Sequence, residues 1–433
     1  MCCFMDIRFV AHAAIAIEHE GSLLLTDPWF EGKIFNNSWS LVEPPDLSRL
    51  DLSRLRHILI SHEHPDHLHF PTLRKLRERV SGPLTVYYRA QENKNVREAV
   101  EKLGIELVEL VPHEECKLES GLTVTGFPTR QDAAQVIRVG DRMILNQNDC
   151  RLIPEEVAAL RRMYPRIDLW LFQFSLAGYY ANEDDPAGLS RARATHLRLV
   201  GEYFEAFRPE IFVPYASFVR FCKESNAYMN KWSLDLGEVV EAFPGIPTQI
   251  LRPGDRVLWS DWSARNKENL AAWRTAFARE VKEEPHKKVD GEEILQAANK
   301  LVREGVEREL RPFRPPETHF QIRETGHALA IDFAKGRAAV LSGPDRDKLA
   351  GVLPGEELLY FLKFPWGADT LNITACFRVT NAHRWGRLLR FRHSLYLGTE
   401  KDLYRKRGLF WLMGRFARGV ANRTRAILFE RGA

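Results

Sequence analysis

Four side chains able to bind a metal fall within six residues: His62, His64, Asp66 and His67, in the run His62-Glu63-His64-Pro65-Asp66-His67. Imidazole and carboxylate are donors for zinc, iron and manganese, and a tight loop aims alternate side chains at two neighbouring positions. On this spacing His62 and His64 are expected to serve one ion, while Asp66 and His67 reach a second. The other reading is a chance cluster in a polar loop. It is the poorer one, because desolvating four such groups together with no ion among them is costly.

The elements that must hold this loop follow from it outward. The apolar run 55–61 reads as a buried strand that delivers the chain to His62, and Pro71 stands where a first helical position falls, opening a helix over 72–79. Residues 7–10, 13–17 and 23–25 read as early strands, with Gly21-Ser22 turning between the latter two. Further strands are expected at 84–88, 105–111, 122–127, 135–139 and 142–146, with Gly140-Asp141 as a turn. Two more, 169–174 and 211–214, follow helical stretches. An order that is β-rich early and alternates βα later fits two sheets sandwiched between helices.

At 433 residues the chain exceeds one ordinary core. The composition shifts to charged and helical near residue 260, so the expected division is a metal-binding catalytic domain over 1–260, a charged helical connector over 261–316 and a C-terminal α+β domain over 317–433. In the last, 320–333, 338–342 and 358–379 look like a small sheet and 385–429 like a basic helix. With 45% hydrophobic and 28% charged residues, the composition is that of a globular chain, not a disordered one. It offers no run of about eighteen apolar residues for a membrane span. The N-terminus lacks a basic region followed by an apolar run, so a cytoplasmic location is expected. Six cysteines without a CxxC pair argue against a disulfide framework or a cysteine zinc finger. The adjacent Cys2 and Cys3 read as a frayed terminus.

The net charge of +4 hides an asymmetry, because residues 384–433 carry thirteen lysines and arginines against three acids, a balance of +10 that leaves −6 on the rest. Such a tail invites anionic partners. Phe410, Trp411, Met413, Phe416 and Val420 alternate there with Arg415, Arg418, Arg423 and Arg425. That pattern suits peripheral contact with an anionic membrane or a phosphate; a helix with a solvated basic face is the alternative. No nucleic-acid motif accompanies it, and nucleic-acid binding is not expected.

The loop resembles the HxHxDH signature of the metallo-β-lactamase superfamily. The resemblance extends to Thr26-Asp27-Pro28-Trp29 before it and to Ile144-Leu145-Asn146-Gln147-Asn148-Asp149-Cys150 after it. It implies an α/β fold, the metallo-β-lactamase αββα sandwich with a C-terminal α+β extension. It also implies Asp149 as a bridging carboxylate and Asp27 as a support for a ligand histidine. Within the superfamily the chain is similar to the catalytic region of the CMP-N-acetylneuraminate hydroxylase family. The similarity lies in Ala11-His12-Ala13, Asp27-Pro28-Trp29, Ile60-Ser61-His62 and the segments 39–45, 70–76, 145–151 and 213–218, spanning roughly residues 6–226.

Two departures shape the expectation. That family carries a Rieske-type domain ahead of this region, whereas this chain begins directly at it, so an oxygenase built on it is expected to draw electrons from a separate protein. Hydrolases of the superfamily supply later histidines where this chain reads Phe127-Pro-Thr-Arg-Gln-Asp132 and Val213-Pro-Tyr-Ala-Ser217. Asp132 is the candidate replacement ligand, the alternative being an exposed turn aspartate. A site richer in carboxylate than in imidazole favours iron or manganese over zinc. His12 is expected at the metal pocket, where it and Asp66 are candidate catalytic groups; a buried structural histidine is the alternative. Tyr215, Asn226 and Lys231 are candidates to contact an anionic small-molecule substrate, and Tyr179, Tyr180 and Asn182 to border its entrance.

The expected cofactor is one or two divalent ions, iron favoured, with zinc or manganese as alternatives. The expected function is an iron-dependent, O2-using hydroxylase acting on an activated sugar or similar anionic metabolite. A metal-dependent hydrolase of a lactone, ester or phosphodiester, using a metal-bound hydroxide, is the alternative. A third possibility is a non-catalytic binding module.

Overall fold

The computed structural model describes residues 5–91, 94–119, 121–129, 132–280, 282–307 and 314–399. Its described residues divide into two compact units: one runs to Lys287 and takes in Thr370–Arg378, and the other comprises Lys288–Asp369 and Val379–Thr399.

The first unit is built on two six-stranded sheets. One has β1 (Met5–Ala11), β2 (Ala14–His19) and β3 (Ser22–Thr26) as an antiparallel meander. A short strand β4 (Trp39–Leu41) lies outside it, and β5 (Leu55–Ile60), β6 (Thr85–Arg89) and β7 (Glu106–Leu110) extend it in parallel, giving the order β1-β2-β3-β5-β6-β7. The other repeats the plan. Antiparallel β8 (Glu115–Lys117), β9 (Thr123–Pro128), β10 (Ala133–Val139) and β11 (Arg142–Asn148) lead into parallel β12 (Leu169–Gln173) and β13 (Ile211–Tyr215). A small ribbon pairs β4 with β14 (Val219–Phe221).

The period-two alternation of side chains sorts each strand between two cores. From β1 and β5, Phe9 and Leu59 join Val136, Ile144, Leu171 and Val213 of the other sheet in one cluster. Their neighbours Val10, Ile58 and Ile60 instead pack under Leu73 and Leu76 of α1 (Phe70–Arg79) and Val100 of α2 (Asn95–Glu101). Leu160 of α3 (Pro154–Met163), Val200, Tyr203 and Phe207 of α4 (Pro186–Phe207), Val239 of α5 (Leu236–Ala242) and Trp273 of α6 (Asn266–Ala278) belong to the first cluster. This is the αββα sandwich expected from the element order. The parallel strands β12 and β13 are buried along their whole length, as parallel strands covered on both faces must be.

The second unit places α7 (Gly291–Glu307) against a sheet of β15 (Thr318–Ile322), β16 (Ala328–Asp332), β17 (Arg337–Leu341) and β18 (Leu349–Leu353), in the order β17-β16-β15-β18. Ile294, Ala297, Ala298, Leu301, Val302 and Gly305 form the buried stripe of α7 at helical spacing. The expected connector over 261–316 is therefore not one piece. Its first helix, α6, buries Trp273 in the first unit, and its second, α7, is a core helix of the other.

The strand expectation for 358–379 is also corrected, except at Arg378–Val379, which form a short strand. Before it the chain forms α8 (Gly355–Lys363) and α9 (Gly367–Thr374). Leu358, Phe361 and Leu362 are buried at a spacing of three and four, and Glu356 and Glu357 occupy the first turn of α8. An apolar run as short as Leu358–Leu362 does not reveal its own period, and helix spacing won. Helix α10 (Ala382–Thr399) covers the start of the expected basic helix; the rest of that tail, including its expected membrane contact, lies outside the described residues. No helix among the described residues is long and apolar enough to cross a membrane.

Candidate metal centre

At four of the strand ends that meet at this site the chain leaves through a left-handed residue other than glycine. His12 follows β1 with φ 33°, Asp27 follows β3 with φ 36°, Asn148 closes β11 with φ 54° and Ala216 follows β13 with φ 46°. Non-glycine residues in this region are uncommon, and such outliers gather at functional sites. The backbone of Ala216 donates to His12 O at 3.0 Å, which fastens the end of one sheet to the end of the other.

The loop after β5 carries the histidine motif and closes on itself, His67 N and Leu68 N both bonding to His64 O at 2.9 and 2.7 Å. Asp27 and the loop are neighbours because β3 and β5 are parallel partners: Ser61 N donates to Asp27 Oδ1 at 2.7 Å, while Asp27 Oδ2 lies 3.2 Å from His67 Nδ1. Ser61 Oγ stands 3.0 Å from His62 Nδ1 and 3.2 Å from His67 Nδ1. With both Nδ1–H groups directed at these oxygens, the Nε2 lone pairs of His62 and His67 are left for a metal. Glu63, between them in sequence, is held outward by Tyr88 Oη at 2.7 Å and Arg89 at 2.9 Å.

The donors divide into two sets, His62, His64 and Asp149 in one and His12, Asp66 and His67 in the other. In the first, His62 Nε2 lies 2.8 Å from His64 Nδ1 and 3.7 Å from Asp149 Oδ2, with Asp132 Oδ1 at 3.8 Å. In the second, Asp66 Oδ2 lies 3.3 Å from both His12 Nε2 and His67 Nε2. Asp149 Oδ2 is also 3.7 Å from His67 Nε2, so one carboxylate oxygen is equidistant from a nitrogen of each set. Atoms bound to one ion at roughly 2.0–2.2 Å stand about 3–3.5 Å apart; the two contacts of Asp66 Oδ2 fall in that range, and those among His62, His64, Asp132 and Asp149 lie a few tenths of an ångström outside it. Asp66 Oδ1 and Asp149 Oδ1 are buried without a hydrogen-bond partner, the condition a metal would relieve. The donors present thus fit a pair of first-row divalent ions that share Asp149.

The electrostatics fit as well. Among the described residues, the ion-pair partners of Asp27, Asp66, Asp132 and Asp149 are imidazoles. Burial opposes charge on His67, yet Asp66, Asp149 and Asp27 together hold it well above the ordinary imidazole value. Burial likewise opposes ionisation of Asp66, but His67 and His12 keep its carboxyl well below the usual range. His62 is pushed the other way, first by burial and then by the positive potential of His67 and His64. Asp132 is raised to about 7, by lost hydration and then by the like charge of Asp149. Such clustering of displaced values is a mark of functional sites.

Placement of the remaining candidates is mixed. His12 is buried among the donors, its ring edge-on to Trp29 with centroids 5.6 Å apart. It supplies an imidazole to the set the later histidines would have completed, so the seven donors are four imidazoles and three carboxylates, and the expected excess of carboxylate does not hold. Tyr215 does not face a substrate: it is fully buried, its hydroxyl 3.0 Å from Thr26 Oγ1. Nor does Asn226, whose amide donates to Ser38 O and Thr374 O at 3.2 and 2.8 Å and accepts from Lys223 N. Lys231 is exposed at the end of a short 3-10 helix, Ala227–Lys231, and no contact ties it to the donors. Tyr179 bonds to Asn182 Oδ1 at 2.9 Å and packs on Phe377. Three residues have roles that their types alone did not announce. Ser61 orients two histidines. Gln135 of β10 donates to Ile60 O at 2.9 Å and accepts from Asn146 at 3.3 Å, and Asn148 abuts Asp149. The one available signal was position, each lying beside or across from a motif residue.

With sandwich and donors in place, the fold has a name: residues 23–212 match the family described as "Beta-lactamase superfamily domain", and the first unit has the metallo-β-lactamase fold. It is 23% identical over 268 residues to the "Cytidine monophosphate-N-acetylneuraminic acid hydroxylase" of Xenopus laevis, covering 58% of this chain and 45% of that protein. The chain thus spans about half the length of the curated relatives it matches. Among solved structures it is similar to CmlA, a diiron beta-hydroxylase from Streptomyces venezuelae, at 19% identity over 59% of this chain and 54% of that one, with a TM-score of 0.43. It is also similar to Igni18, a novel metallo hydrolase from Ignicoccus hospitalis, at 16% identity over 58% and 97%, with a TM-score of 0.37.

Proposed function

We propose that this chain is a metal-dependent enzyme that uses iron and O2 to hydroxylate an unreactive C–H bond of a small anionic metabolite, such as an activated sugar. The observation that carries this reading is the division of the donors into two sets of two imidazoles and one carboxylate, linked through Asp149. Two histidines and one carboxylate with open positions are the donor set of non-haem ferrous oxygenases. The likeness to a hydroxylase of a nucleotide-activated sugar supports both the reaction and the substrate class.

Iron held there would supply one-electron chemistry toward O2. The protein's own part is to hold and to shield. His62 and His64 with Asp149, and His12 and His67 with Asp66, would hold the ions, and Asp132 stands beside the first set. Ser61 and Asp27 fix which imidazole nitrogens are free to bind. Trp29 against His12 and Phe35 against His64 wall the pocket with aromatic edges. Hydroxylation consumes two electrons and two protons besides O2, releasing one oxygen atom as water. We assign those electrons to a separate electron-transfer protein.

The test is to load the protein anaerobically with ferrous iron and mix it with O2 in the presence of a reductase. Rapid oxidation of the iron with stoichiometric O2 uptake is expected; inert ferrous protein that exchanges its iron for zinc would sink the reading. Histidine–carboxylate sets of this composition also serve zinc, which favours a hydrolase as the second reading. It predicts turnover of a lactone or phosphodiester panel that is lost in His64→Ala.

A further inference from the structure

Strand β1 is the edge of its sheet, and the segment 254–257 is laid along its free side. Gly254 N bonds to Phe9 O at 2.8 Å, Phe9 N to Asp255 O at 2.9 Å and Val257 N to Ile7 O at 2.8 Å, while Asp46 N reaches Val10 O at 3.3 Å. Residues of these segments, with Arg8 of β1, line a cavity of about 270 Å³. That is just under the roughly 300–1,000 Å³ of small-molecule sites. Arg8 precedes His12 by four positions, so the cavity stands roughly 13 Å along the strand from the metal donors. It is a separate place.

Arg8, Arg49, Arg256 and Arg265 line this cavity against Asp46 and Asp255. Both carboxylates are already engaged. Asp46 Oδ1 accepts from Ser48 N at 2.9 Å and Ser48 Oγ at 2.6 Å. Asp255 Oδ2 accepts from Arg252 N at 2.9 Å and Asn269 Nδ2 at 2.7 Å, and its Oδ1 bonds to Arg265. Asp6, beside them, takes one nitrogen from each of Arg8 and Arg256, at 2.7 Å in both cases. Mutual neutralisation is the competing account, and it leaves two groups over. Arg49 is exposed and makes no hydrogen bond or ion pair among the described residues. Gln249 lines the cavity and is only 2% exposed. Its Oε1 accepts from Leu258 N at 3.2 Å, but its Nε2 has no partner among the described residues and is not sealed from solvent. An N–H can be satisfied only by an acceptor, and guanidinium groups match the oxygens of a phosphate. We propose that this cavity binds a phosphate group, free or carried on a small ester, through Arg49, Arg256 and Gln249.

Inorganic phosphate and glycerol 3-phosphate are titrated calorimetrically into the full chain, with its metal content unaltered and at constant ionic strength. Saturable binding is expected, and the tighter of the two ligands names the source of the group. Arg49→Gln should weaken it about fivefold, the upper range for an exposed charge contact, with an unchanged melting temperature. Gln249→Glu keeps an oxygen for Leu258 N and sets a negative charge in place of the donor, and should weaken binding by more than about tenfold. Should that variant not fold, Arg256→Gln takes its place, with a loss of about fivefold expected. His64→Ala, which disables the metal centre, is expected to leave the affinity unchanged. Absence of saturable binding overturns the proposal. So does binding that His64→Ala abolishes and the cavity variants leave intact, a result that would put the anion on the metal.

Discussion

At His12 the chain turns through a left-handed conformation with its ring closed in beside Asp66, and the proposed second ion depends on this residue. Without it the second set is reduced to Asp66 and His67. His12→Ala is therefore expected to retain about one ion per chain and Asp149→Asn, which cuts the shared oxygen, less than one, read by elemental analysis after gel filtration. Asp27→Asn should leave the ligands in place and weaken metal binding by about 10–100-fold, read by competition with a chromophoric chelator, because Asp27 orients His67 from behind. At this scale the sequence was legible where the donors are consecutive: residues 62–67 bring their own spacing. It was not legible where a donor arrives from another strand. His12 stands fifty residues before the loop, and only the pairing of β1 and β3 through β2 puts it there. Tyr215 and Asn226 failed for the converse reason, since residue type does not say which side of a strand or turn a group occupies.

At the scale of elements, the site exists because β5 and β11, from different sheets, end at the same edge. Gln135 of β10 ties them: its amide donates to the last carbonyl of β5 and accepts from Asn146 of β11. Gln135→Leu keeps the bulk and strands both partners in a buried place. The expected loss is about 1–3 kcal/mol of unfolding free energy by urea titration, together with weaker metal retention. A variant of unchanged stability and metal content would show that the sheets are aligned by the core alone. Most strands from β1 to β13 were readable, because apolar runs and Gly-containing turns carry their own signal; the three-residue β4 and β8 were not. Residues 358–374 were not, since the short apolar run Leu358–Leu362 fits a buried strand or a buried helix equally, and the helix spacing shows only in which side chains are buried.

Across the whole first unit, buried neutral imidazoles set a pH limit separate from metal binding. Burial, assisted for His57 by Arg56 and for His196 by Arg151, pushes His57, His69 and His196 down to about 4. The ordinary value is about 6.5, so between roughly 4 and 6.5 the unfolded chain binds protons that the folded chain refuses. Stability from these groups is complete above about pH 6.5 and is lost as pH falls toward 4. Urea midpoints measured across that window on metal-free protein should fall steadily, and His196→Gln should flatten the slope; a flat wild-type profile would show that these rings are hydrated.

The central claim, that one sandwich holds two ions between four imidazoles and three carboxylates, is tested most directly by counting and identifying the metal. Protein purified without chelator should yield crystals whose anomalous scattering, collected on both sides of the iron, manganese and zinc edges, shows two sites bridged by Asp149, with iron in both. A pocket that stays empty when iron, manganese and zinc are all supplied, or a single ion bound away from Asp149, would contradict it.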